Sequence, residues 1–258
     1  MPKSSIAVPA ILDILERHHR KQTAWWPTDP YEFLVWWHCG YPQSDDRCAK
    51  GWEALTAQVG TSPRVLLSAK PAQLAAALKS GGMVPELRAL RLKEIAMRVQ
   101  DEFGGDLEAA LREAMAKQPT TNDHRPTTAS TRAARTILKE FPNISDPGAD
   151  RILLFAEMAP LAAVPSNNVQ VLVRVLEGRE RENYGVNYRE SQQAIEAAVP
   201  AKFEARQRAY LLLKVHGQEL CKRTNPKCDA CPLKRDCAYA AGKLRGRAKA
   251  AKVPGSRR

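Results

Sequence analysis

Four cysteines crowd into one short stretch near the C-terminal end: Cys221, Cys228, Cys231 and Cys237, spaced C-x6-C-x2-C-x5-C. Four thiolates so near in sequence can close around one metal centre, and a loop stapled that way needs little other structure to hold its shape. The spacing holds one C-x2-C knuckle, where a structural zinc site usually has two. Four cysteinates are equally the usual ligands of a [4Fe–4S] cluster, so spacing alone leaves both metals open. The same loop carries Lys222, Arg223, Lys227, Lys234 and Arg235, a cation density suited to a phosphate backbone.

The whole chain leans the same way. A net charge of +12 over 258 residues favours a polyanionic partner, nucleic acid before membrane. Part of that charge sits in Lys243–Arg258, a run with seven cations and no acid, read as a disordered basic tail. With 44% hydrophobic and 26% charged residues, the rest has the composition of a soluble globular protein with a real core. No apolar run reaches transmembrane length. Met1–Arg20 lacks the apolar core and small-residue cleavage site of a secretory signal. A cytoplasmic protein is expected, nucleoid-associated in a bacterium, in a compartment where clustered cysteines bind metal rather than pair. Cys39 and Cys48, near His38, read as buried free thiols rather than a second metal site.

The fold class expected is all-α. Ile11–Arg17 begins a first helix, and Tyr31–Cys39 reads as a buried helix opened by Pro30, its tryptophans in the core. Pro71–Lys79 and Glu86–Phe103 show helical spacing, the latter through Leu87, Leu90, Ile95 and Val99. Lys117–Thr131 is Thr-rich and broken by proline, hence an exposed loop or insertion. Helices are expected again at Arg132–Glu140, Asp150–Ala159, Asn167–Leu176, Tyr188–Ala198 and Glu204–Leu220.

Between two of these lies Phe141-Pro142-Asn143-Ile144-Ser145. Asn143 suits the left-handed conformation of a tight turn, Ser145 suits an N-cap, and Pro147 falls where a missing N–H costs least. The amides of such a turn and helix start suit a phosphate.

With the cysteines, this hairpin resembles the helix-hairpin-helix DNA glycosylases of the endonuclease III superfamily, adenine glycosylase included. Phe141–Ser145 is similar to that family's L-P-G-V-G turn, Lys214–Cys221 (KVHGQELC) to its H-G-x-x-x-C lead-in, and Cys237-Ala238-Tyr239 to its ending. Pro30-Tyr31-Glu32-Phe33-Leu34 looks like the family's P-F-E-L-L, and Asp45 falls near the place of an aspartate close to the DNA. The resemblance spans roughly Pro30–Tyr239, with the Thr-rich insertion as a departure. It implies a two-lobed fold: residues 1–29 packing on a cluster lobe, a helical barrel at 30–164 with the hairpin at 141–148, the cluster lobe at 165–242, and the tail at 243–258. It also implies a [4Fe–4S] cofactor on Cys221, Cys228, Cys231 and Cys237. The implied partner is double-stranded DNA, damaged or mismatched, held by a monomer through Asn143, Ile144, Ser145 and Gly148 at the hairpin and Lys222, Arg223 and Lys227 at the loop.

Two positions depart from the family. Counted from Pro142, the lysine that attacks the sugar falls on Pro147, and the aspartate that supports base departure falls on Pro165, with Arg174 on a family arginine. Proline cannot act as nucleophile, acid or base. No lysine lies between Lys139 and Lys202, and no acid between Glu157 and Glu177. Asp146, Asp150 and Glu157 are the nearest substitutes for the lost carboxylate; their other reading is as caps and solvating charges at a helix start. Tyr184 and Tyr188 read as packing residues. The expectation is a base-excision-repair protein, a glycosylase without lysine-dependent strand cleavage, with catalytic residues unassigned. The alternatives are a non-catalytic DNA- or lesion-binding protein on the same scaffold, or a zinc-stapled interaction module.

Overall fold

The computed structural model of the protein describes residues 4–117 and 128–243. Most of the Thr-rich insertion and all of the basic tail beyond Lys243 therefore lie outside the described residues. The described chain is all-helical and has no strand among the described residues. No described helix is long and apolar enough to cross a membrane.

Two compact units divide the helices: Trp25–Ala159, called here the hairpin unit, and a cysteine unit that joins the residues up to Ala24 with those from Pro160 onward. The hairpin unit holds α2 (Pro30–His38), α3 (Asp45–Gln58), α4 (Pro63–Ser68), α5 (Pro71–Leu78), α6 (Pro85–Phe103), α7 (Leu107–Ala116), α8 (Thr128–Lys139) and α9 (Asp146–Phe155). The cysteine unit holds α1 (Val8–His19), α10 (Gln170–Glu177), α11 (Tyr184–Ala198) and α12 (Phe203–Glu219), followed by the cysteine loop.

Local sequence explains several helix ends. Asp29 accepts a hydrogen bond from the Glu32 amide at 2.8 Å, and Pro30 opens α2 behind it. Asp106 and Asn183 cap α7 and α11 in the same way. Gly104, in the left-handed region at φ 60°, ends α6.

The core of the cysteine unit is aliphatic, with Ile11, Leu12, Leu15, Val171, Leu172, Ile195, Leu212 and Leu233 buried together. That of the hairpin unit includes Trp36, Leu92, Leu111, Leu138, Phe141 and Leu153. The unit boundary falls at Ala24–Trp25, where the sequence reading placed it at 29–30, because Trp26 packs into the hairpin unit. Its ring lies 5.1 Å from that of Phe155, and the Arg151 guanidinium sits 4.0 Å above it. Arg151 also lies over Phe33 and Trp36 and pairs with Asp45 at 3.3 Å. This cation is buried in an aromatic box, a place where guanidinium loses little by leaving water.

Some sequence expectations shift. Leu87 and Leu90 share the helical spacing but are 44% and 58% exposed. The buried face of α6 runs instead through Arg88, Ala89, Leu92, Ile95, Ala96 and Val99. Arg88 turns inward because its guanidinium donates to the carbonyls of Cys39 and Leu78 and also to that of Met83. Helix α8 begins at Thr128, inside the expected loop, with Ser130 and Thr131 buried. Helices α9 and α11 each begin about one turn earlier than periodicity suggests. Residues 238–243 are helical, so Lys243 belongs to the folded part, its Nζ 5.8 Å from the Tyr239 ring.

Candidate nucleic-acid interface

The hairpin begins where α8 stops. The Phe141 amide bonds the Leu138 carbonyl at 3.2 Å, and the Ile144 amide bonds that of Phe141 at 3.3 Å. Asn143 adopts φ 57°, the left-handed conformation expected of it, at a position where most residues would be strained. Its side chain points back into the fold, with Nδ2 3.4 Å from Nε2 of His38. His38 is buried, and its Nδ1 lies 2.8 Å from the Leu34 carbonyl, so Nδ1 carries the proton and Nε2 accepts. Burial pushes the His38 pKa down to about 4. Helix α2 thus holds the hairpin through a neutral histidine.

The predicted hairpin residues divide by burial. Asn143 and Ser145 are exposed, Gly148 is half-buried, and Ile144 is buried, anchoring the turn from beneath. Ser145 occupies the N-cap position of α9 with extended backbone, but its hydroxyl makes no capping bond. Pro147 sits in the first turn, as expected, and removes one of the turn's amide donors.

The hairpin acids all face cations. Lys139 Nζ lies 2.8 Å from Asp146 Oδ1, Arg135 Nε lies 2.5 Å from Asp150 Oδ1, and Arg98 pairs with Glu140. Asp150 is almost fully buried. Their bonds are those of helix-start charges tied down by α8 and α6, and the repulsion they would exert on a phosphate is offset. Glu157 is exposed, at φ 53° just after α9.

In the cysteine unit, α10 holds the loop by its backbone. Gln170 Nε2 donates to the Cys221 carbonyl at 2.9 Å, while Arg174 donates to the carbonyls of Lys222 and Arg223 at 2.8 and 2.9 Å. Three successive carbonyls therefore point inward, and the side chains of Lys222, Arg223 and Lys227 are exposed. Lys227, Lys234 and Lys243 also rim a recess of about 260 Å³ that reaches Cys228. Gly217, in the H-G lead-in, is required by contact. A Cβ there would come within 2.2 Å of Asn168 Nδ2.

The four thiols act on one another. Burial first, then Cys237 and Cys228, push Cys221 up to about 11. Burial and the other three thiols do the same to Cys231, again to about 11. Arg174 Nη1 lies 3.7 Å from Cys221 Sγ, and His216 Nε2 lies 3.6 Å from Cys231 Sγ. His216 is fully buried and is backed by His19, whose Nε2 lies 3.1 Å from His216 Nδ1. Yet among the described residues no three His, Cys, Asp or Glu side chains are grouped as ligands of one metal ion. Cys39 and Cys48 are free, buried thiols. Pro165 is buried and carries no ionisable group, and the Asp45 carboxylate is paired with Arg151.

The folded chain has the helix-hairpin-helix DNA glycosylase fold of the endonuclease III type. It superposes on endonuclease III in a non-covalent DNA complex with a TM-score of 0.67 and 16% identity, covering 92% of this chain and 97% of that one. A thermostable thymine-DNA glycosylase gives 0.64 and 18%, covering 91% and 97%. The H. pylori 3-methyladenine DNA glycosylase MagIII, bound to 1,N6-ethenoadenine, gives 0.58 and 15%, covering 83% and 99%. No protein-family model matches the sequence, and no curated protein does.

Proposed function

We propose that this protein binds double-stranded DNA, damaged or mismatched, as a base-excision-repair protein, and that it does not cleave the strand through a lysine. The observation that carries the reading is the hairpin. It keeps its left-handed turn at Asn143 while every acid beside it is paired with a cation. The exposed Lys222, Arg223 and Lys227 of the cysteine loop would supply phosphate contacts, and the start of α9 at the hairpin suits a phosphate in its own right. Base release would need a carboxylate other than Asp146 and Asp150, since both are tied to cations. The reading therefore assigns lesion binding, and no chemistry, to the hairpin.

Cys221, Cys228, Cys231 and Cys237 are assigned to a [4Fe–4S] cluster. The donor set fits: burial, with neighbouring thiols adding to it, raises Cys221, Cys231 and Cys237, so these need positive charge beside them before they ionise. A cluster spreads its thiolates over separate irons, whereas a single zinc would gather all four at about 2.3 Å. The single C-x2-C knuckle and the H-G-x-x-x-C lead-in support the cluster over zinc. When bound, the iron supplies that charge and staples the loop. Gln170, Arg174 and Gly217 fix the loop from the protein side.

Protein purified without oxygen is expected to carry iron and acid-labile sulfide in equal amounts. Stoichiometric zinc without sulfide would overturn the cofactor. On DNA with abasic sites, borohydride is expected to trap no adduct, because Pro147 stands at the lysine position.

A further inference from the structure

Tyr184 opens α11 with 42% of its surface exposed, while Tyr188, one turn on, is buried. The two rings stack, with centroids 6.4 Å apart and planes inclined by 24°. Among the described residues of the cysteine unit, Tyr184 is the one Phe, Tyr or Trp side chain left so open. Tyr188 and Tyr210, by contrast, are hidden.

Its charged neighbour is Arg223, close enough for the guanidinium to act on the phenol. Arg223 and Lys222 are held by their carbonyls on Arg174, at 2.9 and 2.8 Å, which leaves both side chains exposed. An aromatic ring stacked on one side thus stands near an exposed cation whose backbone is held on the cysteine loop. Aromatic rings flanked by cations take unpaired nucleobases, the ring stacking on the base and the cations holding the phosphate beside it. A paired duplex offers base edges rather than faces, so it cannot use such a ring.

Resting on the DNA-binding reading above, we propose that Tyr184 is a stacking platform for an unpaired base of DNA, with Arg223 and Lys222 on the flanking phosphate. The Tyr184 ring would then act at a gap, a strand end or an extruded base and contribute nothing on intact duplex, where Arg223 and Lys222 still meet phosphates.

The test compares the unmodified protein with Tyr184→Phe, Tyr184→Leu and Arg223→Gln. The probes are a duplex with a one-nucleotide 2-aminopurine gap strand and an intact duplex of equal length. Phe keeps the stack and is expected to bind both as the unmodified protein does. Leu keeps bulk without a π-face and is expected to lose roughly tenfold on gapped DNA, together with the 2-aminopurine quenching, and nothing on intact duplex. Arg223→Gln is expected to flatten the salt dependence on gapped DNA. A Leu variant that binds and quenches like the unmodified protein overturns the platform alone. Failure of the unmodified protein to bind either DNA overturns the platform and the DNA-binding reading together.

Discussion

Nζ of Lys139 lies 2.8 Å from Oδ1 of Asp146, across the turn that joins α8 to α9. The pair is solvent-exposed on both sides, so it contributes little to stability, about 0–1 kcal/mol. Its consequence is electrostatic. A lysine that a phosphate would attract is held by the acid beside it.

Asp146→Asn should release that lysine. Duplex affinity at low salt is expected to rise severalfold, and the slope of log affinity against log salt to steepen by about one phosphate contact. Lys139→Gln should shift both in the opposite direction. Measured binding isotherms at several salt concentrations decide this; an unchanged slope in both variants would place the pair away from the DNA.

Asp150 differs from Asp146 although both lie in the same helix. It is buried against Arg135, whose side chain is about one-quarter exposed. Asp150→Ala strands a partly buried guanidinium, and the expected loss is about 2 kcal/mol, below the full cost of a sealed pair because Arg135 reaches water. Asp146→Asn should stay within about 0.5 kcal/mol of the unmodified protein. Urea denaturation of both variants measures the contrast. Equal stability for the two would remove Asp150 from the framework of the hairpin and restore it as a candidate acid.

His38 makes hairpin stability depend on pH. Its folded pKa is about 4, against an ordinary 6.5, chiefly through burial, with Arg91 adding to it. Between those values the unfolded chain binds the extra proton and the folded chain does not, so stability falls as pH drops from 6.5 toward 4. The full effect is on the order of 3 kcal/mol. Protonation would also place a hydrogen on Nε2, the atom that faces Asn143. Thermal melts across this range should show the decline, and His38→Gln should flatten it. A slope unchanged by that substitution would mean that other groups titrate there.

How far the molecule was legible in its sequence follows the range over which each signal acts. Pro30 and the Asn143 turn are local signals, and each stands where expected. Helix α3 was not read because it buries only Cys48, Gly51 and Leu55, too few apolar positions to set a period. Helix α4 spans six residues, less than two turns. Leu87 and Leu90 misled because spacing marks one face of a helix without saying which face the core covers; Arg88 decided it by reaching three carbonyls. Arg151 carried no sequence signal, because its place in a box of aromatic rings brings together residues far apart in sequence. The pairing of Asp146 and Asp150 with α8 is likewise a product of the folded hairpin, which is why sequence alone left them as candidate acids.

The central claim is that the folded units, rather than the basic run after Lys243, bind duplex DNA. The most direct measurement is the salt dependence of duplex binding by a chain ended after Lys243, compared with the full chain. The account predicts a weaker complex with a steep slope retained, and a further flattening when Lys222, Arg223 and Lys227 are neutralised. Loss of all duplex binding on removal of the tail would contradict it.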